Sequence, residues 1–96
     1  MKPSELPAKP EAWTRNANAR TATGVEVNPH DKDAVCWCLW ESLAKCGVAH
    51  DEATIVKLRA AIVMKYGTPS GNIMMFNDIY ADGHADVLTV LKDADL

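Results

Sequence analysis

The spacing of apolar residues between Lys32 and Cys46 constrains the fold more than any other feature of this 96-residue chain. At about 100° per residue these side chains cover roughly 200° of a helical wheel, too wide an arc for a helix with one buried side. Asp31 or Asp33 can cap the start of such a helix, and Gly47 can adopt a left-handed conformation after its end. The pattern therefore predicts a central helix whose neighbours pack on Val35, Cys36, Trp37, Leu39, Trp40, Leu43, Ala44 and Cys46.

A short alternating segment precedes this predicted helix. Trp13 and Ala19 fall on one face of an extended chain, and polar residues fall on the other. The residues around Gly24 are typical of a turn, and Val25 and Val27 would be the inward pair of a short return strand. A small β-hairpin is therefore predicted between Trp13 and Val27, with a helix through the alanine-rich part as the alternative.

Two further helices are predicted downstream. One apolar periodic run covers about residues 51–66 and stops at Gly67, with Pro69 just beyond, and another covers about residues 84–93. The apolar segment within residues 72–78 is too short to assign by its period, and a short helix or turn is favoured. Together the patterns predict a mainly α, small single domain with a short N-terminal β-hairpin, three main helices and one short helical or irregular segment.

The first eleven residues differ in composition from the rest of the chain. They contain three of the five prolines and few apolar side chains, which is typical of a flexible or extended arm. Residues 12–96 are expected to form a single compact α-rich domain, because a chain of this length supplies only one hydrophobic core.

Charge and hydropathy exclude several classes of function. Lys and Arg number 10 against 13 Asp and Glu, which gives a net charge of −3, whereas nucleic-acid-binding proteins usually carry a basic excess. No apolar run is long enough to span a membrane, and no apolar stretch typical of a secretory signal follows Met1. We therefore expect a cytoplasmic protein that makes no direct contact with nucleic acid or membrane.

Several short motifs occur in a fixed order. They are Trp13-Thr14, Ala19-Arg20, Ala34-Val35, Trp37-Cys38, Asn77-Asp78 and Asp86-Val87-Leu88. In this order they resemble a family of small uncharacterised bacterial and bacteriophage proteins, whose members typically read W-T, A-R-D-x-x-G, A-V-x-W-C, W-N-D and E-V-L. The resemblance covers about residues 13–91, and the chain departs from it at Glu41-Ser42, where the family tends to have Gly-Ala, and at Phe76, where it tends to have Trp. The resemblance implies a setting in the bacterial cytoplasm, with the gene expected on a phage or prophage, and it implies no mechanism.

The three cysteines are expected to be reduced, because they cannot all pair within one chain and no secretory signal is present. Cys36 and Cys38 form a C-x-C motif. By residue type alone, Cys46, His50 and His30 could complete a set of zinc ligands with them. Residues two apart on a helix point about 200° apart, so Cys36 and Cys38 could not share one ion there. No metal or other cofactor is therefore expected. Cys38 lies off the apolar arc, so it is either covered by the hairpin or an accessible thiol, and no histidine is placed to activate it.

Six residues are candidates for a partner or ligand surface. Trp37 lies at the rim of the predicted apolar arc, where aromatic side chains often anchor partners, although it could also pack under the hairpin against Trp13. Arg59 lies on the apolar side of its helix, where it could snorkel, pair with a carboxylate such as Asp78, or bind an anion. The candidates are Trp13, Trp37, Arg59, Asn77, Asp78 and His84.

Other polar and flexible residues have an ordinary structural explanation beside the functional one. Asn77-Asp78 would cap or turn the chain, or would display a polar pair at the rim of an apolar pocket. His84 is expected to be a core or capping histidine. Three methionines could form an adaptable binding surface, but core filling is the favoured explanation for Met64, Met74 and Met75.

No catalytic signature is present, and the chain is not expected to be an enzyme. The leading hypothesis is a non-enzymatic phage- or prophage-type accessory protein that binds a host or phage protein, for example to inhibit a bacterial factor or defence system. The alternatives are a small-molecule or nucleotide (anion)-binding module that uses Arg59, Asn77 and Asp78, and a structural or zinc-stabilised domain. A homodimer is also compatible with the sequence.

Overall fold

Three short antiparallel strands occupy the first half of the chain. In the computed structural model, which describes residues 2–67 and 71–96, β1 spans Ala19–Thr21, β2 spans Glu26–Val27 and β3 spans Ala34–Trp37. The strands form one sheet in the order β2-β1-β3, and β1 is antiparallel to both neighbours. The prediction of a mainly α fold with only a hairpin is therefore wrong, because the described chain mixes this sheet with helices.

The predicted central helix over residues 32–46 is divided at Cys38. Its first half is β3, in which Trp37 lies opposite Ala19 of β1, and only its second half is helical, as α1 over Leu39–Lys45. Cys38 itself is extended, with φ −73° and ψ 170°, and is the N-cap residue of α1. The wide apolar arc thus combined two elements: valine and tryptophan also favour strands, and pairing with β1 overrides their helical spacing.

The predicted hairpin is present but smaller than expected. It consists of β1 and β2, and Gly24 adopts φ 86° in the turn between them. Trp13 lies outside it and forms an isolated parallel bridge with Trp37, and the Thr14 N–H donates to the Trp37 carbonyl at 3.2 Å. Val25, expected to point inward, is exposed.

The two downstream helices are confirmed. Helix α2 spans Glu52–Tyr66, and its N-cap residue Asp51 accepts a hydrogen bond from the Thr54 N–H. A short helix, α3, covers Ile73–Met75 and continues into one π-helical turn over Phe76–Tyr80. Helix α4 spans His84–Asp93. Met1 and residues 68–70, including the Pro69 expected just beyond α2, lie outside the described residues.

The hydrophobic core lies among the helices. Tyr66 of α2 packs on Phe76 of the π-helical turn with ring centroids 5.1 Å apart. Within this core cluster, the residues with no exposed surface come from α1, α2, the π-helical turn and α4; they are Leu39, Leu43, Leu58, Ile62, Phe76, Val87, Val90 and Leu91.

The N-terminal segment packs on the helices, whereas the sequence predicts a flexible arm. It forms two 3₁₀ turns, Pro3–Glu5 and Pro10–Ala12. Ser4 donates to the Leu96 carbonyl through its backbone N–H at 3.3 Å and its hydroxyl at 2.7 Å. Pro7 is fully buried, and its carbonyl accepts a hydrogen bond from His84 Nε2. The prolines that suggested an arm without structure thus hold tight turns against the core.

Candidate functional site

Asn77 connects three distant parts of the chain. The residue lies in the π-helical turn and is only 1% exposed. Its Oδ1 accepts hydrogen bonds from the backbone N–H of Leu39 at 3.0 Å and from Trp13 Nε1 at 2.6 Å. Its Nδ2 donates to the Thr14 carbonyl at 3.2 Å and to Asp78 Oδ1 at 2.8 Å. A side-chain amide has two acceptor positions and two donor hydrogens, so the bonding capacity of Asn77 is filled within the chain.

Asp78 fixes the loop that faces this turn. Its Oδ1 also accepts from the backbone N–H of Asn16 at 2.9 Å. Asn16 has φ 60°, a left-handed conformation that asparagine tolerates better than most residues. The carbonyl of Asn18 accepts from the Cys38 N–H at 3.1 Å, which ties the same loop to the start of α1. Loop, helix start and π-helical turn are therefore held together by hydrogen bonds.

These three segments enclose a cleft of about 340 Å³. We call it the Asn77 cleft, and its lining residues are Asn16, Ala17, Asn18, Cys38, Trp40, Met74, Asn77 and Asp78. A neighbouring cavity of about 320 Å³, here called the Arg59 cavity, shares Trp40 and Met74 with it and is otherwise lined by Arg59, Gly71, Asn72 and Ile73. The two cavities therefore adjoin at Trp40 and Met74.

The thiol in the Asn77 cleft is not activated. Burial raises the pKa of Cys38, and repulsion from the Glu41 and Asp78 carboxylates raises that pKa further, although the backbone N–H groups of Glu41 and Trp40 lower it. Cys38 is buried, so it is not the accessible thiol that was one of the two expectations for it. A protonated, buried thiol is a poor nucleophile.

Of the residues singled out in the sequence, Trp13, Asn77 and Asp78 come together. The Trp13 indole binds Asn77, and the Arg15 guanidinium lies 5.0 Å from the centre of the Trp13 ring while donating to the Ala81 carbonyl at 2.8 Å. This arrangement holds the indole in place from its outer face. Trp13 therefore supports the position of Asn77 without itself lining the cleft.

The other three candidates lie elsewhere. The Trp37 indole donates to the Pro29 carbonyl at 3.0 Å, and Lys45 Nζ lies 4.8 Å from its ring. The sequence suggested that Arg59 could pair with Asp78, but the two do not pair. Instead, Arg59 Nε donates to the Gly71 carbonyl at 3.1 Å in the Arg59 cavity. His84 binds the Pro7 carbonyl beside the N-terminal segment.

Sequence reasoning missed the residues that shape the opening of the cleft. Asn16 and Asn18 belong to the polar residues that the alternating pattern places on the outer face of a strand, and Trp40, which the helical pattern places in the core, is half-buried. The methionines expected to fill the core are exposed, with 89% exposure for Met64, 49% for Met74 and 41% for Met75. Two asparagines in a segment of weak strand propensity were a local signal for a loop.

Neither a cluster of metal ligands nor a membrane-spanning helix is found among the residues that the structure describes. Across residues 2–67 and 71–96, no three His, Cys, Asp or Glu side chains are placed to hold a metal ion together. Among the same residues, no helix has the length and apolar character needed to cross a membrane.

Comparison with known proteins gives one match. No curated protein and no solved structure is significantly similar to the chain. One protein family, described as a family of unknown function and without a catalytic description, matches residues 9–95. Since this match covers nearly the whole chain, the protein belongs to the family of unknown function DUF6197.

Proposed function

We propose that the protein is a non-enzymatic binding module that docks a segment of another protein at the Asn77 cleft. The observation that carries this proposal is a contrast in order around the cleft: its inner residues are fixed by hydrogen bonds, whereas apolar side chains at its opening are exposed. The inner residues are held by the internal hydrogen bonds of Asn77 and Asp78. Met74 lines the cleft and is 49% exposed, and Met75 and Ile79, which follow it along the chain, are exposed as well. Exposed flexible methionines around a fixed frame are typical of protein-binding surfaces.

The chemistry of the cleft supports recognition over catalysis. Burial and nearby carboxylates raise the pKa of the Cys38 thiol, and Asn77 has no bonding capacity left for a reacting group. A nucleophile needs an adjacent base, and no histidine lines the cleft. The groups that a ligand can reach are amides, one carboxylate, an indole and a thioether.

The proposed biological setting rests on the family resemblance. We therefore propose a phage- or prophage-type accessory protein in the bacterial cytoplasm. Its partner is a host or phage protein. One concrete version of this function is inhibition of a bacterial factor or defence system.

The test is a pull-down from bacterial lysate with two matched variants. Met74→Glu places a charge at the cleft, whereas Met64→Glu places the same charge on an exposed methionine of α2 that lies outside it. We expect a partner that the wild-type protein and Met64→Glu retain and that Met74→Glu loses, with all three proteins folded by circular dichroism. The proposal is rejected if the wild-type protein captures no partner, or if Met74→Glu captures the partner as well as the wild type does.

A second candidate function is binding of a small anion or nucleotide in the Arg59 cavity. The specific observation is a guanidinium that donates to the Gly71 carbonyl in a space of about 320 Å³, which Trp40 also lines. A ligand that binds only the folded state raises the melting temperature, so a thermal-shift screen of nucleotides should show a rise that Arg59→Gln abolishes. A flat screen would remove this candidate.

A further inference from the structure

The Asp78 carboxylate has only neutral partners. Its two hydrogen bonds come from the Asn16 backbone N–H and the Asn77 side-chain amide. Within the described parts of the chain, the one ion pair shorter than 4 Å joins Lys2 and Asp95, far from this site in sequence. Asp78 is half-buried and lines the cleft, so its negative charge is directed toward whatever enters.

Two further groups add negative charge near the cleft. The face of the Trp40 indole carries the negative part of its quadrupole. Glu41, in the first turn of α1, is close enough for its carboxylate, like that of Asp78, to raise the pKa of the Cys38 thiol that lines the cleft. Arg59 does not line the Asn77 cleft, since its guanidinium binds the Gly71 carbonyl in the neighbouring cavity.

We propose that the Asn77 cleft receives a cationic side chain of the partner segment, an arginine or lysine, between the Asp78 carboxylate and the Trp40 ring. This inference rests on the proposed function and names the chemistry of its anchor residue. Arginine fits better than lysine, because a planar guanidinium can stack on an indole and donate to several acceptors at once, here the Asp78 carboxylate and the amide oxygens of Asn16 and Asn18. The net charge of −3 also favours encounter with a basic segment.

The test uses Nα-acetyl-arginine N-methylamide as the probe and its citrulline counterpart as the neutral control. The probe is titrated into ¹⁵N-labelled protein, and the Trp40 indole N–H is assigned with Trp40→Phe. We expect saturable shifts of the Trp40 indole and of the Asn16 and Asn18 amides. Citrulline keeps the shape but loses the charge, so its binding should be about tenfold weaker.

Asp78→Asn is the matched variant, because asparagine keeps an oxygen for the Asn16 N–H while removing the charge. It should weaken arginine binding by about tenfold, whereas Asp33→Asn, on an exposed loop away from the cleft, should leave binding unchanged. No saturable shift, equal binding of citrulline, or equal effects of the two variants would overturn the inference. Tighter binding of N-propylguanidinium, which has the same single charge, than of the arginine amide would also overturn it, since the site would then suit a free small cation.

The two proposals can fail separately. If the partner from the pull-down is lost with Met74→Glu but withstands both Asp78→Asn and excess free arginine, the protein-binding function stands and the cationic anchor is wrong. If the arginine probe binds as expected but no partner depends on Met74, the cation site stands and the protein-binding function is wrong.

Discussion

Asn77 is the residue on which the geometry of the cleft depends. It is almost without exposed surface, and each of its four hydrogen-bonding positions has a partner in the chain. Replacing it by an apolar residue of similar size would leave the Leu39 N–H and the Trp13 indole N–H without an acceptor. Buried polar groups that lose their partners are among the larger causes of destabilisation by a single substitution.

We expect Asn77→Leu to lower the free energy of unfolding by about 2–4 kcal/mol, since each orphaned buried group costs about 1–3 kcal/mol. Asn72→Ala is the comparison, because Asn72 is exposed and its side chain caps α3 through one bond to the Met75 N–H. That change should cost about 1 kcal/mol. Urea denaturation measures both variants, and equal losses would contradict the central role of Asn77.

The cysteines should differ in their reaction with iodoacetamide. Burial raises the pKa of both Cys38 and Cys46, but Cys46 is half-buried whereas Cys36 and Cys38 are buried. Cys46 is therefore expected to be alkylated first in the native protein, and Cys36 and Cys38 only when the chain opens. Peptide mass spectrometry over time resolves the order. Early labelling of Cys38 would show an accessible thiol and reopen a catalytic role.

At the scale of elements, local signals decided which parts of the fold could be predicted. Helix α2 begins after the Asp51 cap and α4 occupies the predicted residues 84–93, because caps and helical spacing act within a few residues. The division at Cys38 could not be predicted in the same way. Residues 34–37 become a strand because they pair with β1, some fifteen positions earlier, and no short-range signal reports that pairing.

The glycines at element ends allow a controlled test. Gly47 follows α1 with φ 76°, and Gly83 precedes α4 with an extended φ of 179°. A Cβ at either position would meet no atom within 4 Å, so only the backbone conformation distinguishes them. Gly47→Ala should cost about 1 kcal/mol, because L residues disfavour the left-handed region, and Gly83→Ala should change stability by less than about 0.5 kcal/mol. Equal melting temperatures would contradict this assignment.

The candidate site was predicted in part for a related reason. Asn77 and Asp78 stand out as a polar pair directly after an apolar segment, so their residue types could be chosen from the sequence. Their partners could not be identified, because Trp13 and Thr14 lie more than sixty positions away. Trp37 and His84 were chosen on local grounds too, and their polar atoms bind backbone carbonyls outside the cleft.

At the scale of the whole molecule, the N-terminal segment closes the helical core. Ser4 binds the carbonyl of Leu96, and the buried Pro7 lies against His84 at the start of α4. The segment therefore covers surface that would otherwise be open to water. A mobile arm would make no such contribution, so its removal distinguishes the two descriptions.

We expect a chain that lacks residues 1–8 to lose at least about 2 kcal/mol of stability, through the hydrogen bonds of Ser4 and the burial of Pro3 and Pro7. Hydrogen exchange gives a second measure: the Ser4 amide, which binds Leu96, should be protected in the full chain. Unchanged stability together with fast exchange at Ser4 would support the flexible arm predicted from the sequence.

The bonds of Asn77 also bear on the order of events during folding. They join positions that are 64, 63 and 38 residues apart along the chain. Closing loops of that length costs conformational entropy before any contact compensates for it, so contacts of this kind tend to form slowly. We therefore expect the cleft to be completed only after the strands and helices have docked. A partner that recognises it would ignore nascent and damaged chains, and binding would itself report that folding is complete.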